Sequence, residues 1–463
     1  MWQGFSIRLA VALAFADASI AVLALPQIIG EFDTTIRQVT WVIMSYNIAL
    51  IVAVVPIVFV ARRLPSGPTL VAGLTVFGLA SIGCGLAQSF GWLVALRAVQ
   101  GVGGALLLCA SVPLLAGIAR PGESPVAGWA AAAALGAAVG PATGGLLTQV
   151  FDWRAIFLAQ APAAAVALTA VRGSAASAIH DPAGGRAAPV DLTPDTANAA
   201  LGLYSAGLIG ALFMVVIMLI NVWRLEPLAA AFVVSAIPLA TLVVERTVRG
   251  SPVELGIAGA VLLAAGLAGI SLITHKEVAL VVAALALCGA GLGLAFPALS
   301  TVALSGRGSA VVRAARTVAA RDAGLVAGLL VLTPVFVHDL NDAPPRAVPA
   351  VTSEVIGAPL PGPVKTRLGD ELLKAYTHTP RGQLPNLDPA FDRVRATTSG
   401  STVGQLNTLE KRIDSTIERA VTRSFRRTLL YCALFALAAI PVLAIVSKTR
   451  APRRRRAARE VAS

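Results

Sequence analysis

Charge is what this 463-residue chain has least of. Only 13% of its residues are Asp, Glu, Lys or Arg, against about 25% in soluble domains. That shortage excludes an ordinary water-soluble enzyme or binding module. Cysteine is nearly absent too: Cys84, Cys109, Cys288 and Cys432 all fall in apolar runs, which reads as buried thiols rather than disulfides or metal ligands. The four histidines are scattered, and zinc spacing, a phosphate loop and a nucleophile motif are all missing. The sequence therefore predicts no metal, no cofactor and no enzyme. What fills the chain is apolar residue, 56% of the total, with a mean hydropathy of +0.78. The class is an all-α integral membrane protein that crosses the bilayer many times. The net charge of +13 does not call for nucleic acid, because membrane proteins gather Lys and Arg on one side.

In chain order, apolar runs predict spans near residues 7–25, 38–60, 69–87 and 92–118, a fifth opening the stretch 128–162, and further spans near 154–171, 201–220, 228–244, 253–273, 278–304, 323–337 and 428–446. Composition divides them into an N-terminal six-helix bundle (1–171), a polar linker (172–200) and five helices of a C-terminal bundle (201–337). A polar, Pro-rich segment (338–427), the last helix (428–447) and a basic tail (448–463) follow. Residues 305–322 hold four arginines and read as a cytoplasmic loop with a basic surface helix. Leu406, Leu409, Ile413, Ile417 and Ala420 recur at helical spacing. They predict an amphipathic helix running into the last span, with a stripe that packs on its own segment or holds a protein partner. Counting Lys and Arg by loop places both termini in the cytoplasm and 338–427 outside.

Three features stand out from the apolar background. Gly128, Ala132, Gly136, Gly140 and Gly144 lie four apart, so one helix face is bare and another helix can approach to backbone contact. Pro141 bends that helix. Asp17 sits mid-span, where an ionised carboxylate is costly. A nearby cation such as Arg97, itself a few residues inside the fourth span, would favour its charged form. These residues suggest proton coupling or substrate binding; a fixed structural carboxylate is the plainer reading of Asp17, and an Arg that snorkels to the interface that of Arg97.

The spelling of these motifs resembles a known family. Gly136, Gly140, Pro141, Gly144 and Gly145 resemble the antiporter motif of the major facilitator superfamily, in its drug:proton antiporter branch. Asp152-Trp153-Arg154-Ala155-Ile156-Phe157, with Pro162, resembles the signature that follows it. Asp17 with Ala24-Leu25-Pro26 is similar to the first-span motif of that branch, and Arg97-Ala98-Val99-Gln100-Gly101 to its fourth-span motif. The resemblance implies the major facilitator fold, two six-helix bundles with about twelve transmembrane helices, and a plasma-membrane location; the long external loop before the last helix lies outside it. It implies export of hydrophobic or amphiphilic small molecules in exchange for protons, with Asp17, Arg97 and Gln100 in the coupling or substrate site. One departure stands out: Arg62 and Arg63 occupy a gating loop where the family carries an Asp. That departure favours an alternative, a facilitator-like protein that no longer transports and senses or binds a partner through residues 338–427.

Overall fold

The computed structural model describes residues 2–60, 65–119, 125–172, 192–305, 309–378 and 387–461, and all regular structure among them is helical. The first half contains α1 (Trp2–Glu31), α2 (Ile36–Val60), α3 (Ser66–Gly85), α4 (Phe90–Ile118), α5 (Pro125–Val150), α6 (Trp153–Leu158) and α7 (Gln160–Arg172). The second half contains α8 (Pro194–Ile217), α9 (Pro227–Val234), α10 (Ala236–Thr247), α11 (Pro252–Leu272), α12 (Val278–Ala303) and α13 (Ala310–Asn341). Then come α14 (Ala343–Gly357), α15 (Gly362–His378), α16 (Asp388–Arg395) and α17 (Ser401–Val461). Among the described residues, eleven helices are long and apolar enough to cross a membrane, and a shorter apolar one covers Trp153–Thr169. The gating loop with Arg62 and Arg63, and most of the predicted linker, lie outside the described residues.

The sixth and eighth crossings are each made of two helices, and proline explains why. Pro162 and Pro238 have no N–H to offer the carbonyls four residues back, and their rings crowd those carbonyls. The breaks fall at Ala159 and Ser235, three residues before each proline. At the second break the Ser235 hydroxyl turns back on its own helix and donates to Ala231 O at 2.7 Å, a carbonyl that also accepts from Ser235 N.

Glycine sets how the helices meet, and it does so alike in both halves. A Cβ added at Gly101 or Gly104 of α4 would strike Tyr46 of α2, and one at Gly103 would strike the Phe77 backbone in α3. In the second half, a Cβ at Gly289 of α12 would strike Ile237 of α10, and one at Gly291 would strike α11 at Gly259 and Leu263. Likewise α5 meets α1 at Gly136 and Gly140, and α13 meets α8 at Gly324 and Gly328. This equivalence is what a duplicated carrier shows.

Two expectations are corrected. The helix expected within 305–322 is not a separate surface helix but the start of α13: Ser309 caps it, and it runs from Ala310 without a break. Arg321 and Asp322 therefore lie mid-helix as a pair that neutralises itself, which a reading by charge density takes for a polar edge. The polar linker ends early, because Thr193 caps α8 at Pro194. The segment before the last span is folded into α14, α15, α16 and the first turns of α17. The amphipathic helix expected before the last span does run into it: both belong to α17, 61 residues long. The stripe at Leu406, Leu409 and Ile413 is buried against Val355, Leu368, Phe391 and Val394. That face is thus covered by the segment itself, in which α14, α15, α16 and the first turns of α17 form a cap.

Candidate functional site

Asp17 and Arg97 meet in the first half, each fully buried. Arg97 Nη1 donates to both carboxylate oxygens, at 2.7 and 2.8 Å, and to Gln100 Oε1 at 2.7 Å. Its Nε donates to Val42 O at 2.9 Å, which ties α4 to α2. The guanidinium carbon lies 4.6 Å from the Tyr46 ring centre and 5.5 Å from that of Phe157, so two aromatic faces share its charge. An arginine held this way does not snorkel. Gln100 sits one turn beyond Arg97, so both face the same neighbours. Its Nε2 donates to Ser81 Oγ and Gln160 Oε1, both at 2.8 Å. Gln160 Nε2 completes the ring by donating to Asp17 Oδ1 at 3.1 Å. Five helices, α1, α2, α3, α4 and α7, are thereby joined through one carboxylate and one guanidinium. The sequence analysis paired three of these residues and missed Gln160. Its signal was a lone amide in the apolar run beyond Trp153.

The motif after α5 has a structural reading. Asp152 caps α6, its Oδ1 accepting from Arg154 N at 2.8 Å and Ala155 N at 3.3 Å. Trp153 is buried, and Arg154 lies 4.5 Å above its ring while pairing with Glu31 of α1 at 3.0 Å. The bare face of α5 is used along its length. Gly136 packs on Ala12 of α1, Gly140 on Ala16 and Ser19, and Gly144 on Ile20, with 3.3 Å left for a Cβ at Gly144. Gly145 turns the other way and meets Pro227 and Ala231 of α9 in the second half. Pro141, on the neighbouring face, lines a cavity.

That cavity, about 200 Å³, lies between the halves. Phe15 and Ser19 of α1 line it, but Asp17 does not. Two residues turn a helix by roughly 200°, so Asp17 faces into the bundle. The lining is chiefly apolar, and its two charged members are Glu245 of α10 and Arg321 of α13. Arg321 stands 4.1 Å from the Phe15 ring centre, across the division between the halves. Its Nε and Nη2 both donate to Asp322 Oδ1, at 3.1 and 2.9 Å. Asp322 is fully buried. The sequence analysis missed this pair by placing it in a loop. A charge of each sign side by side beneath an apolar run was the available signal.

Two helical halves, matched in packing and enclosing a mostly apolar cavity with one buried charge pair in each, define a membrane carrier rather than an enzyme. Residues 8–329 match the family model described as Major Facilitator Superfamily. The chain belongs to the major facilitator superfamily. Over 159 residues it is 32% identical to the multidrug resistance protein Stp of Mycobacterium tuberculosis (strain CDC 1551 / Oshkosh), which covers 34% of this chain and 30% of that protein. Over 167 residues it is 34% identical to the lincomycin resistance protein of Streptomyces lincolnensis, covering 34% and 33%. The match thus spans about a third of the length of these relatives. Among solved structures, the chain resembles a bacterial homologue of the human lysosomal transporter Spinster, inward-facing and unoccupied. The TM-score there is 0.61, with 16% identity and 96% of both chains covered. It also resembles the proton:xylose symporter XylE, with TM-score 0.54, 13% identity, and 71% and 86% covered. These two likenesses are of fold.

Proposed function

We propose that the protein exports hydrophobic or amphiphilic small molecules across the plasma membrane in exchange for protons. The observation that carries this reading is the cavity: it is apolar, enclosed by both halves, and flanked by a buried carboxylate in each. An apolar lining accepts cargo by surface burial with few directional demands. The resistance functions named for the two relatives support the direction of transport. Asp17, Arg97 and Gln100 act in the first half as a clamp whose partners exchange as the halves rock, and Gly136, Gly140, Pro141, Gly144 and Gly145 form the surface on which α5 moves. Both termini lie in the cytoplasm and the cap outside.

The decisive measurement is uptake of a permanently charged fluorescent lipophilic cation into inverted vesicles with and without an imposed pH gradient, against vesicles that lack the protein. Accumulation that requires an acidic lumen is expected. A second reading, a sensor that does not transport, draws on a separate cavity of about 600 Å³ in the cap, lined by Val351, Leu372, Leu373 and Ile417 among others. Vesicles that show no flux under either condition would favour it.

A further inference from the structure

The two buried charge pairs are built for different work. In the first, Asp17 accepts on both oxygens, from Arg97, Gln160 and Gln100, the last at 3.4 Å. In the second, Arg321 spends both of its bonds on Asp322 Oδ1. Asp322 Oδ2 is buried and has no hydrogen-bond partner among the described residues. Adjacent helix positions differ by about 100°, so Arg321 looks into the cavity while Asp322 looks into the packed bundle. The carboxylate thus has an open acceptor, and its one counter-ion touches cargo space.

Resting on the proton-coupled reading above, we propose that Asp322 carries the coupling proton and that Arg321 transmits its state to a cationic, apolar-bodied cargo held at Glu245. With Asp322 ionised, the adjacent charges cancel. Glu245, with Arg246 beside it in sequence, is then the one carboxylate of the cavity lining and attracts a cation. A proton on Oδ2 leaves the Arg321 guanidinium unopposed above Phe15. The cavity gains one positive charge in a low-dielectric surround, where that charge acts strongly, and the cation is expelled. Proton and cargo exclude each other without sharing an atom. One proton enters for each cation that leaves, so the exchange is electroneutral.

The neighbours of Asp322 suit this role. From α2, the Tyr46 hydroxyl is buried without a partner and lies within electrostatic range of both charge pairs. From α4, Arg97 is held by Asp17. From α8, the Tyr204 hydroxyl donates to Gly256 O. On α17, the Cys432 thiol is buried. Protonation of Asp322 thus opposes cargo through Arg321, and protonation of Glu245 would oppose it directly by removing the cation's counter-charge.

The test uses the full chain in nanodiscs with tetraphenylphosphonium as probe, in weak buffer with a pH indicator, over the pH range in which Glu245 stays ionised. Wild-type protein is expected to release a proton for each cation bound and to bind it more tightly as pH rises. Asp322→Asn keeps an oxygen for Arg321 and should release roughly tenfold less, with binding flat against pH; Asp322→Glu should restore release. Arg321→Gln leaves the carboxyl but removes the transmitter, and should flatten the pH dependence as well. Asp195→Asn, at the exposed pair with Arg316, should change neither. Undiminished release from Asp322→Asn, or pH-linked binding in Arg321→Gln, overturns the proposal. Gradient-driven flux that persists in Asp322→Asn sinks the switch and leaves the transport reading standing. pH-linked binding without gradient-driven flux in the wild type does the reverse.

Discussion

Arg97 was legible as a candidate because an arginine inside an apolar run needs a partner. Which partner it takes is a property of the fold: Asp17 lies 80 residues away in sequence. Removing one member of such a pair strands the other, at a cost of about 3–5 kcal/mol, while removing both is far milder. Asp17→Asn and Arg97→Gln should therefore each lower thermal stability in detergent, and the double variant should lose much less than the sum. Additive losses would mean that the two charges do not depend on each other. Asp322 was illegible for an opposite reason. Next to Arg321 it reads as a polar edge, and only the uninterrupted course of α13 places it inside.

Among elements, α5 and α1 are the pair whose contact sequence foresaw best. A period of four in small residues states that a helix will be approached closely, but it does not name the partner. The structure adds a gradient: a side chain at Gly136 or Gly140 meets the backbone or Ser19 of α1, whereas one at Gly144 finds 3.3 Å. Overpacking costs about 1–3 kcal/mol where nothing can give way. Gly136→Leu and Gly140→Leu are thus expected to abolish flux in inverted vesicles at normal protein levels, with Gly144→Ala close to wild type. Normal flux in Gly136→Leu would show that α5 need not ride on α1. The paired breaks at Ala159 and Ser235 were half-visible, since the prolines stand in the sequence but the spans around them look continuous.

For the whole molecule, alternation of apolar and polar stretches gave twelve crossings and two halves, because the bilayer permits little else. It did not give the cap its helices, whose core is a dozen buried residues spread over α14 to α17. Sidedness can be read with cysteines. The four native thiols are buried and should stay silent. Ser353→Cys and Thr408→Cys, exposed in the cap, should react with an impermeant maleimide on intact cells; Thr247→Cys, exposed at the end of α10, should react only after permeabilisation. The reverse pattern would invert the orientation.

The cap is bonded to one half: Trp223 to Thr422 at 3.1 Å, Arg224 to Asp388 at 3.6 Å and Arg427 to Asp339 at 3.6 Å all run to the C-terminal bundle. Between Leu406 and Ile440, α17 contains neither glycine nor proline, a stiff rod of about 50 Å. The cap is therefore the needle of a gauge whose axle is the last span. Any rocking of one bundle on the other swings it as a lever does, magnified by the length of the rod. A pair of dyes, one on the cap and one at the tip of the first bundle, would read the position of the carrier turnover by turnover, without a label anywhere near the cavity.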